Sequence, residues 1–245
     1  DAGWRIHEHD LSTGEARVID PGLRSSLATP RYSPDGRRMA FATITGTVDD
    51  IFEYDIAERC CLRRLTRGPR TSMSPSYSPD GERLAFFSDR LGQPHIDVMD
   101  AEGGEATRIT PYERGTRGFY TAPEWSPTDS LLAFHGESPS RVYQIMVVPA
   151  RPDAAVRQLT GTGENEDPTW APDGRHLAFI GNRPDARGLF VIDVVTGRER
   201  PLLAGGALRT PDWSPPLVRA AELRPNSGPA PPAAGSGSAS RSRRR

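Results

Sequence analysis

A short string of an aromatic residue, then Ser or Ala, then Pro recurs along this chain at a nearly constant interval. The string begins at Tyr32, Tyr77, Trp125, Trp170 and Trp213, it has Ala only at the Trp170 copy, and in three of the five copies Asp-Gly follows the Pro. The leading aromatic residues lie 45, 48, 45 and 43 residues apart. An interval of this size indicates a repeat protein, in which each unit buries its apolar surface against its neighbours.

Each repeat has the signals of a four-stranded antiparallel meander. Pro sets φ for a turn, Asp tolerates or caps it and Gly supplies the left-handed position, so Ser-Pro-Asp-Gly predicts a hairpin. The strand after the hairpin reads hydrophobic-Ala-Phe, and the Ala indicates close packing between sheets. These second runs begin at Arg38, Arg83, Leu131 and His176. Third runs begin at Ile51, Ile96, Gln144 and Leu189. Fourth runs end in Arg64-Leu-Thr, Arg108-Ile-Thr, Gln158-Leu-Thr and, more loosely, Pro201-Leu-Leu.

A unit of four strands and about 45 residues is the size of one blade of a β-propeller. Whole units are predicted at 31–66, 76–110, 124–160 and 169–204, and two half-blades at 4–19 and 210–217 would join as a fifth. The predicted fold is therefore all-β, with about five blades visible. A truncated six-bladed ring is the alternative architecture that the sequence also allows.

Composition and charge narrow the function classes. Gly and Pro number 24 each in 245 residues, which argues against a helical bundle. Residues 1–217 carry a formal charge of −6, so a nucleic-acid partner is not expected. No apolar run is long enough for a membrane span. Residues 218–245 are poor in apolar side chains and rich in Arg, Ser, Gly and Pro, so they are predicted to be a disordered tail after a propeller of residues 1–217.

The cysteine and histidine residues do not indicate a disulfide, a metal site or a catalytic group. Cys60 and Cys61 are adjacent, and strand neighbours point to opposite faces, so a bridge between them would be strained and no disulfide is expected. His7 and His9 share a strand face but lack a third ligand. The sequence has no Gly-x-Ser-x-Gly elbow in a strand-turn-helix context, no HExxH motif and no phosphate loop. We therefore expect no catalytic residue, no metal and no cofactor.

The repeat as a whole resembles the WD-like repeat of the TolB family. The resemblance rests on the aromatic-Ser-Pro-Asp-Gly string, hydrophobic-Ala-Phe, a third strand ending in Asp and a fourth run ending Arg-Ile-Thr, and it covers residues 4–217. It implies a periplasmic, monomeric member of the Tol-Pal system that binds the peptidoglycan-associated lipoprotein Pal and other Tol proteins. TolB propellers have six blades and follow an α/β domain. The chain starts at Asp1 without a leader, so we expect either a piece of a longer protein or a ring completed in a nonstandard way.

The predicted binding surface is the rim formed by the loops that join consecutive blades. These loops are placed at 24–31, 67–75, 111–123, 161–168 and 205–211, and function tends to lie in loops on a rigid scaffold. The candidate partner-binding residues are Arg70, Thr71, Tyr112, Arg117, Phe119, Tyr120, Thr121, Glu164, Asn165, Glu166, Asp167 and Arg209. The predicted function is a non-enzymatic interaction scaffold. The alternative is the substrate-gating propeller of a prolyl-oligopeptidase-like serine peptidase without its catalytic domain.

Overall fold

The structure is a computed structural model that describes residues 3–111, 119–184, 187–206 and 208–214. Its contacts divide the chain into two units, Asp1–Trp213 and Ser214–Arg245. The predicted tail, residues 218–245, lies outside the described residues and stays a prediction. Over the described ranges, no helix has the length and apolar character needed to cross a membrane.

Eighteen strands account for the regular structure of the described residues. The first two are β1 (Ile6–His9) and β2 (Ala16–Ile19), which form a two-stranded antiparallel sheet. The others follow in four groups: β3 (Ser26–Tyr32), β4 (Arg38–Ile44), β5 (Ile51–Asp55) and β6 (Cys60–Arg64); β7 (Ser72–Tyr77), β8 (Arg83–Ser88), β9 (His95–Asp100) and β10 (Thr107–Arg108); β11 (Tyr120–Trp125), β12 (Leu131–Glu137), β13 (Tyr143–Pro149) and β14 (Arg157–Gln158); β15 (Glu164–Trp170), β16 (His176–Asn182), β17 (Arg187–Asp193) and β18 (Glu199–Ala204).

Each group of four strands is one antiparallel sheet in which chain neighbours pair in order. We name them blade 1 (β3–β6), blade 2 (β7–β10), blade 3 (β11–β14) and blade 4 (β15–β18). The prediction of an all-β propeller with four whole blades is confirmed. The first strand of each blade begins earlier than predicted, because the sheet continues before the aromatic residue, as at Ser26 and Glu164.

The recurring strings close the first hairpin of each blade as predicted, as Ser-Pro-Asp-Gly in blades 1 and 2, Ser-Pro-Thr-Asp in blade 3 and Ala-Pro-Asp-Gly in blade 4. In blade 1, the Ser33 backbone N–H donates to the Arg38 carbonyl (2.8 Å), and the Asp35 carboxylate accepts from the Arg37 N–H (3.0 Å). Gly36 has a φ of 69°, a left-handed value that L side chains rarely adopt. The recurring Asp residues of these hairpins therefore hold turns.

Consecutive blades pack through the small residue of the hydrophobic-Ala-Phe strand. Ala40 is fully buried in one cluster with Tyr77 of the next blade, and Ala85 is likewise buried with Trp125. Blades 3 and 4 repeat this pairing with Ala133 and Trp170. An aromatic ring lies flat against a neighbouring sheet only where that sheet offers a small side chain, so the Ala sets the spacing between blades.

The predicted fifth blade is incomplete in the described residues. The sheet of β1 and β2 packs on blade 1, where Ile6 and Ile19 join a cluster with Met39 and Phe41. Residues 210–212 lie beside β15 of blade 4, where the Thr210 N–H donates to Asp167 Oδ2 (3.1 Å) and Thr169 Oγ1 donates to Asp212 Oδ1 (3.4 Å). Among the described residues, no backbone hydrogen bond joins residues 208–213 to β1.

The cysteine prediction is wrong, because Cys60 and Cys61 form a disulfide at the start of β6. The expectation assumed regular strand geometry, in which adjacent side chains point apart. Instead Cys61 has a φ of 62°, and the preceding Arg59 has a φ of 54°. This left-handed backbone breaks the alternation and allows the two side chains to meet.

Candidate protein-binding site

A narrow channel runs between the first strands of the blades and is built from a repeated Xaa-Pro pair. The cavity has a volume of about 380 Å³ and is lined by residues of β3, β7, β11 and β15 and of the segment 210–212. The residue before each proline has a positive φ, between 41° and 54°. These left-handed residues are Thr29, Ser74, Ala122, Asp167 and Thr210. In the four blades the pairing register shifts at this point, so a β-bulge turns each strand around the channel.

Glu124 is the most perturbed carboxyl group of the channel wall. Its Oε1 accepts hydrogen bonds from Thr169 Oγ1 (3.0 Å) and from the Trp170 N–H (3.1 Å), whereas its Oε2 is buried without a hydrogen-bond partner. Burial raises the pKa of Glu124 to about 7, against the opposing effect of Arg31. The channel therefore holds a carboxyl group that is partly protonated near neutral pH.

An aromatic and acidic surface lies beside one mouth of the channel, where blades 3 and 4 meet. We call Phe119, His135, Tyr143, Glu166 and Asp167 the blade 3–4 patch. The Phe119 and Tyr143 rings are 5.7 Å apart, and the Tyr143 and His135 rings 5.4 Å apart. The Asp167 N–H donates to Nδ1 of His135 (3.2 Å), and Asp167 also lines the channel. The patch is thus continuous with the channel mouth.

The charges of the patch are negative and partly desolvated. Burial, together with Glu164 and Asp167, raises the pKa of Glu166. Arg187 forms an ion pair with Glu166, with its Nη2 3.8 Å from Glu166 Oε2. Burial lowers the pKa of His135 to about 4, partly offset by Asp167, so the ring is neutral at pH 7 and its Nδ1 lone pair is free to accept the Asp167 N–H. A neutral histidine beside several carboxylates leaves this surface suited to a basic partner.

Several predicted site residues come together in or next to the patch. Phe119 is 37% exposed, and its carbonyl accepts from the Glu137 N–H (2.9 Å). Tyr120 and Thr121 are half-buried strand residues of β11, and Tyr120 packs edge-on against Phe134 with the rings 5.6 Å apart. The half-buried Glu164 begins β15, and the exposed Arg209 offsets a small part of the rise in the pKa of Glu166.

Other predicted site residues lie elsewhere. Asn165 is fully buried and is held by Gln144 and Arg183, so it supports β15 without presenting a side chain. Arg70 lines a separate groove beside β6, and the carbonyl of neighbouring Thr71 accepts from the Asp89 N–H. Tyr112 and Arg117 lie outside the described residues.

Of the patch residues, sequence reasoning missed His135 and Tyr143. It considered only the loops that join one blade to the next. In a four-stranded antiparallel blade, the loop from the second to the third strand lies at the same end of the sheet as those loops. Glu137 ends β12 and Tyr143 begins β13, so the antiparallel order alone was a usable signal.

The patch has the chemistry of a binding surface. Tyr and Phe side chains held on rigid strands are well suited to protein recognition. Within the part of the chain that the structure describes, no group of three or more His, Cys, Asp or Glu side chains could hold a metal ion. The recurring carboxylates outside the patch accept backbone N–H groups, as Asp80 does from Glu82 (3.0 Å) and Asp193 from Val195 (2.9 Å).

Four-stranded blades around a channel with a polar mouth define a repeat protein of the β-propeller class. A family model described as the TolB beta propeller domain matches residues 4–217. The chain belongs to the TolB β-propeller family.

Individual relatives agree with this assignment. The Tol-Pal system protein TolB of Gluconobacter oxydans is 33% identical over 86% of this chain and 47% of its own length. The crystal structure of TolB from Acinetobacter baumannii superposes with a TM-score of 0.70 at 27% identity, over 85% of this chain and 51% of that one. A puromycin-hydrolyzing peptidase of Mycobacterium tuberculosis shares the fold, with a TM-score of 0.59 at 17% identity over 82% of this chain and 32% of its own. The chain spans about half the length of the curated TolB relatives it matches.

Proposed function

We propose that this protein is a non-catalytic interaction scaffold of a Tol-Pal system, which acts in the periplasm and binds a Pal-like lipoprotein through the blade 3–4 patch. The observation that carries the proposal is the position of this patch. In a chain of the TolB family, the exposed ring of Phe119 and the half-buried side chains of Tyr143, Glu166 and Asp167 lie together at the mouth of the channel. Other Tol proteins are further proposed partners, and the protein acts as a monomer.

The patch supports tight binding because strands hold its parts in place. Asp167 is fixed by its hydrogen bond to His135 and by the Pro that follows it. Tyr143 begins a seven-residue strand that pairs on both sides. A surface that is already ordered loses little conformational entropy on binding, so more of the contact energy remains as affinity.

The experiment is a binding titration between this protein and the soluble domain of a Pal-like lipoprotein from the same organism. Phe119→Ala removes an exposed ring and Glu166→Arg reverses a charge, and each should weaken binding by about tenfold or more. Leu11→Ala is the matched control, because Leu11 is 94% exposed in the β1–β2 turn, at the opposite end of the sheets from the patch. This variant should bind like the parent protein.

Failure of the parent protein to bind any such domain would overturn the proposed partner. Equal binding by all three variants would leave the partner in place and overturn the patch. The alternative of a peptidase-gating propeller rests on likeness of fold alone. Hydrolysis of a peptide substrate by the purified chain would contradict the non-catalytic proposal.

A further inference from the structure

Arginine is concentrated in one segment that the blade 3–4 patch does not use. Residues 63–70 read Arg-Arg-Leu-Thr-Arg-Gly-Pro-Arg, so four of these eight positions are basic and none is acidic. Residues 1–217 as a whole carry a formal charge of −6. The segment covers the end of β6 and most of the loop to β7, so it is a basic connection between blade 1 and blade 2 on an acidic body.

This segment forms one wall of a groove between blades 1 and 2, which we call the blade 1–2 groove. Its volume is about 840 Å³, and ligand pockets have volumes of about 300–1,000 Å³. The turn 102–106 between β9 and β10 forms the other wall and supplies two acidic residues, Glu102 and Glu105. The basic residues that line the groove are Arg63, Arg64, Arg67, Arg70 and Arg90.

Most of the charges of the groove already have partners inside the protein, but two arginines do not. The internal ion pairs of the groove arginines are Arg63 with Glu53, Arg64 with Asp50 and Arg90 with Asp97. Glu102 is paired as well, because Arg38 and Arg63 both bind its carboxylate. As far as the described residues extend, the exposed side chains of Arg67 and Arg70 form no hydrogen bond or ion pair. These two guanidinium groups are available to an incoming anion.

The floor of the groove is apolar. Leu65, Phe86 and Met99 line it, and each side chain is at most 6% exposed. All three belong to one hydrophobic cluster that joins the two blades, with Ala106 packed against it. A ligand that reaches this floor must therefore present an apolar group as well as a negative charge.

Hydrogen bonds hold both walls of the groove in place. On the blade 1 side, Arg64 Nε donates to the Thr66 carbonyl (3.0 Å), and Thr66 Oγ1 donates to Asp50 Oδ1 (3.1 Å). On the blade 2 side, Arg90 Nη2 donates to the Ala106 carbonyl (2.6 Å). Walls that are already ordered lose little conformational entropy when a ligand binds.

We propose that the blade 1–2 groove binds a short acidic peptide segment of a partner protein, in which one apolar side chain is flanked by Asp or Glu. The apolar side chain contacts the floor, and the carboxylates pair with Arg67 and Arg70, since guanidinium and carboxylate groups form strong charge-assisted hydrogen bonds. A long polyanion fits less well, because it would extend from the groove over a body of charge −6. This site is separate from the blade 3–4 patch and does not depend on a Pal-like partner.

The probe is the fluorescein-labelled peptide Asp-Glu-Leu-Asp-Glu, titrated with the full 245-residue chain and followed by fluorescence anisotropy. Binding should be saturable and should weaken as NaCl is raised from about 0.1 M to about 1 M, because salt screens exposed charges. Arg67→Glu and Arg70→Glu should each weaken it by about tenfold or more. Arg151→Glu is the matched control, because Arg151 is an exposed residue of the β13–β14 turn in blade 3 and undergoes the same change of charge. This variant should bind the peptide like the parent protein.

Two altered peptides separate the contribution of charge from that of the floor. Replacing Asp and Glu by Asn and Gln removes the carboxylates at nearly constant shape, and replacing Leu by Ser removes the apolar group. Each change should weaken binding by about tenfold or more. Amide hydrogen exchange should slow at residues 65–71 and 102–106 when the parent peptide is bound.

Absence of saturable binding up to about 1 mM peptide would overturn the proposal. Equal binding of the neutral peptide or of the Ser peptide would contradict the proposed recognition, and equal weakening by Arg151→Glu would show that only the net charge of the protein matters. Exchange protection at the blade 3–4 patch instead would make the proposed site wrong. Binding of inorganic polyphosphate without binding of the peptide would make the occupant a phosphate polyanion, which also contradicts the proposal.

Discussion

The alanine of each hydrophobic-Ala-Phe strand lies where one blade packs against the next. Ala40, Ala85 and Ala133 have no exposed surface, and each belongs to the cluster that holds the aromatic ring of the following blade. A larger side chain at these positions would push two sheets apart, and close-packed interiors do not adjust freely to extra methylene groups. Stability should therefore be most sensitive where the side chain is smallest.

The first prediction tests this sensitivity with Ala85→Leu. The added atoms meet the Trp125 ring and the neighbouring blade, so the free energy of unfolding should fall by about 1–3 kcal/mol. Urea denaturation followed by tryptophan fluorescence measures the change. Ala16→Leu, at an exposed strand position of β2, is the control and should change stability by less than about 0.5 kcal/mol. Equal effects of the two variants would contradict packing as the cause.

The second prediction concerns the buried carboxyl group of Glu124. Its pKa is raised to about 7 in the folded protein from 4.5 for the free side chain, so the folded state binds more protons than the unfolded state between these values. The contribution of Glu124 to stability is full below pH 4.5 and is lost as the pH rises to about 7.

The comparison that isolates Glu124 is the parent protein against Glu124→Gln. The parent should lose stability relative to the variant as the pH rises from 4.5 to 7, and the difference should be constant above about pH 8. Thermal unfolding across this pH range measures it. Glu15→Gln, at an exposed turn, is the control. Parallel pH profiles for the parent and Glu124→Gln would show that this carboxyl group is not the cause.

Within each hairpin, the sequence predicts the backbone conformation of the turn, but it does not predict the contacts that the turn makes with another blade. Gly36 and Gly174 occupy the same place in the repeated hairpin and have φ values of 69° and 64°. The Pro-Asp-Gly string predicts both values, because a left-handed residue must follow the Asp. The sequence does not show that a Cβ on Gly174 would lie 2.8 Å from Thr128 Cβ of the preceding blade, whereas one on Gly36 would meet nothing within 4 Å.

The third prediction uses this pair of glycines. Gly36→Ala should lower the free energy of unfolding by about 1 kcal/mol, the cost of a left-handed alanine. Gly174→Ala has the same backbone cost and must also displace Thr128, so it should lose clearly more. Urea denaturation of both variants gives the difference, and Gly174→Ala in a Thr128→Gly background should return to the smaller value. Equal losses in the two single variants would show that the Thr128 contact is relieved at no cost.

The strand boundaries and the blade 3–4 patch are the features that the sequence predicts least well. The recurring string predicted the hairpins, the blade size and the burial of Trp125 and Trp170, because these depend on local turn chemistry and periodic apolar residues. It placed the first strands too late, since a Pro inside a strand indicates a loop, and only the bulge at the left-handed residue allows the strand to continue. The proximity of Tyr143 to Phe119 depends on the stacking of blades and has no local signal.

In the molecule as a whole, the number of blades packed against a sheet determines which strands unfold locally first. Blades 2 and 3 each have a whole blade on both sides, and their middle strands carry much of the buried core. Among the described residues, the sheet of β1 and β2 has two strands and a whole blade on one side, and β18 is exposed along its length. In a stack of similar units, stability is the sum of each unit and its interfaces with neighbours, so units with one interface open more readily.

The fourth prediction follows from this order and is measured by native-state hydrogen exchange with mass spectrometry. Amides of β8, β9, β12 and β13 should exchange slowest, close to the rate set by global unfolding, whereas β1, β2 and β18 should exchange faster by local opening. Low urea should accelerate the middle strands more steeply than the terminal ones, because only global unfolding exposes a large surface. Uniform protection over the eighteen strands of the described residues would contradict this order and show that the sheet of β1 and β2 is as stable as the whole blades.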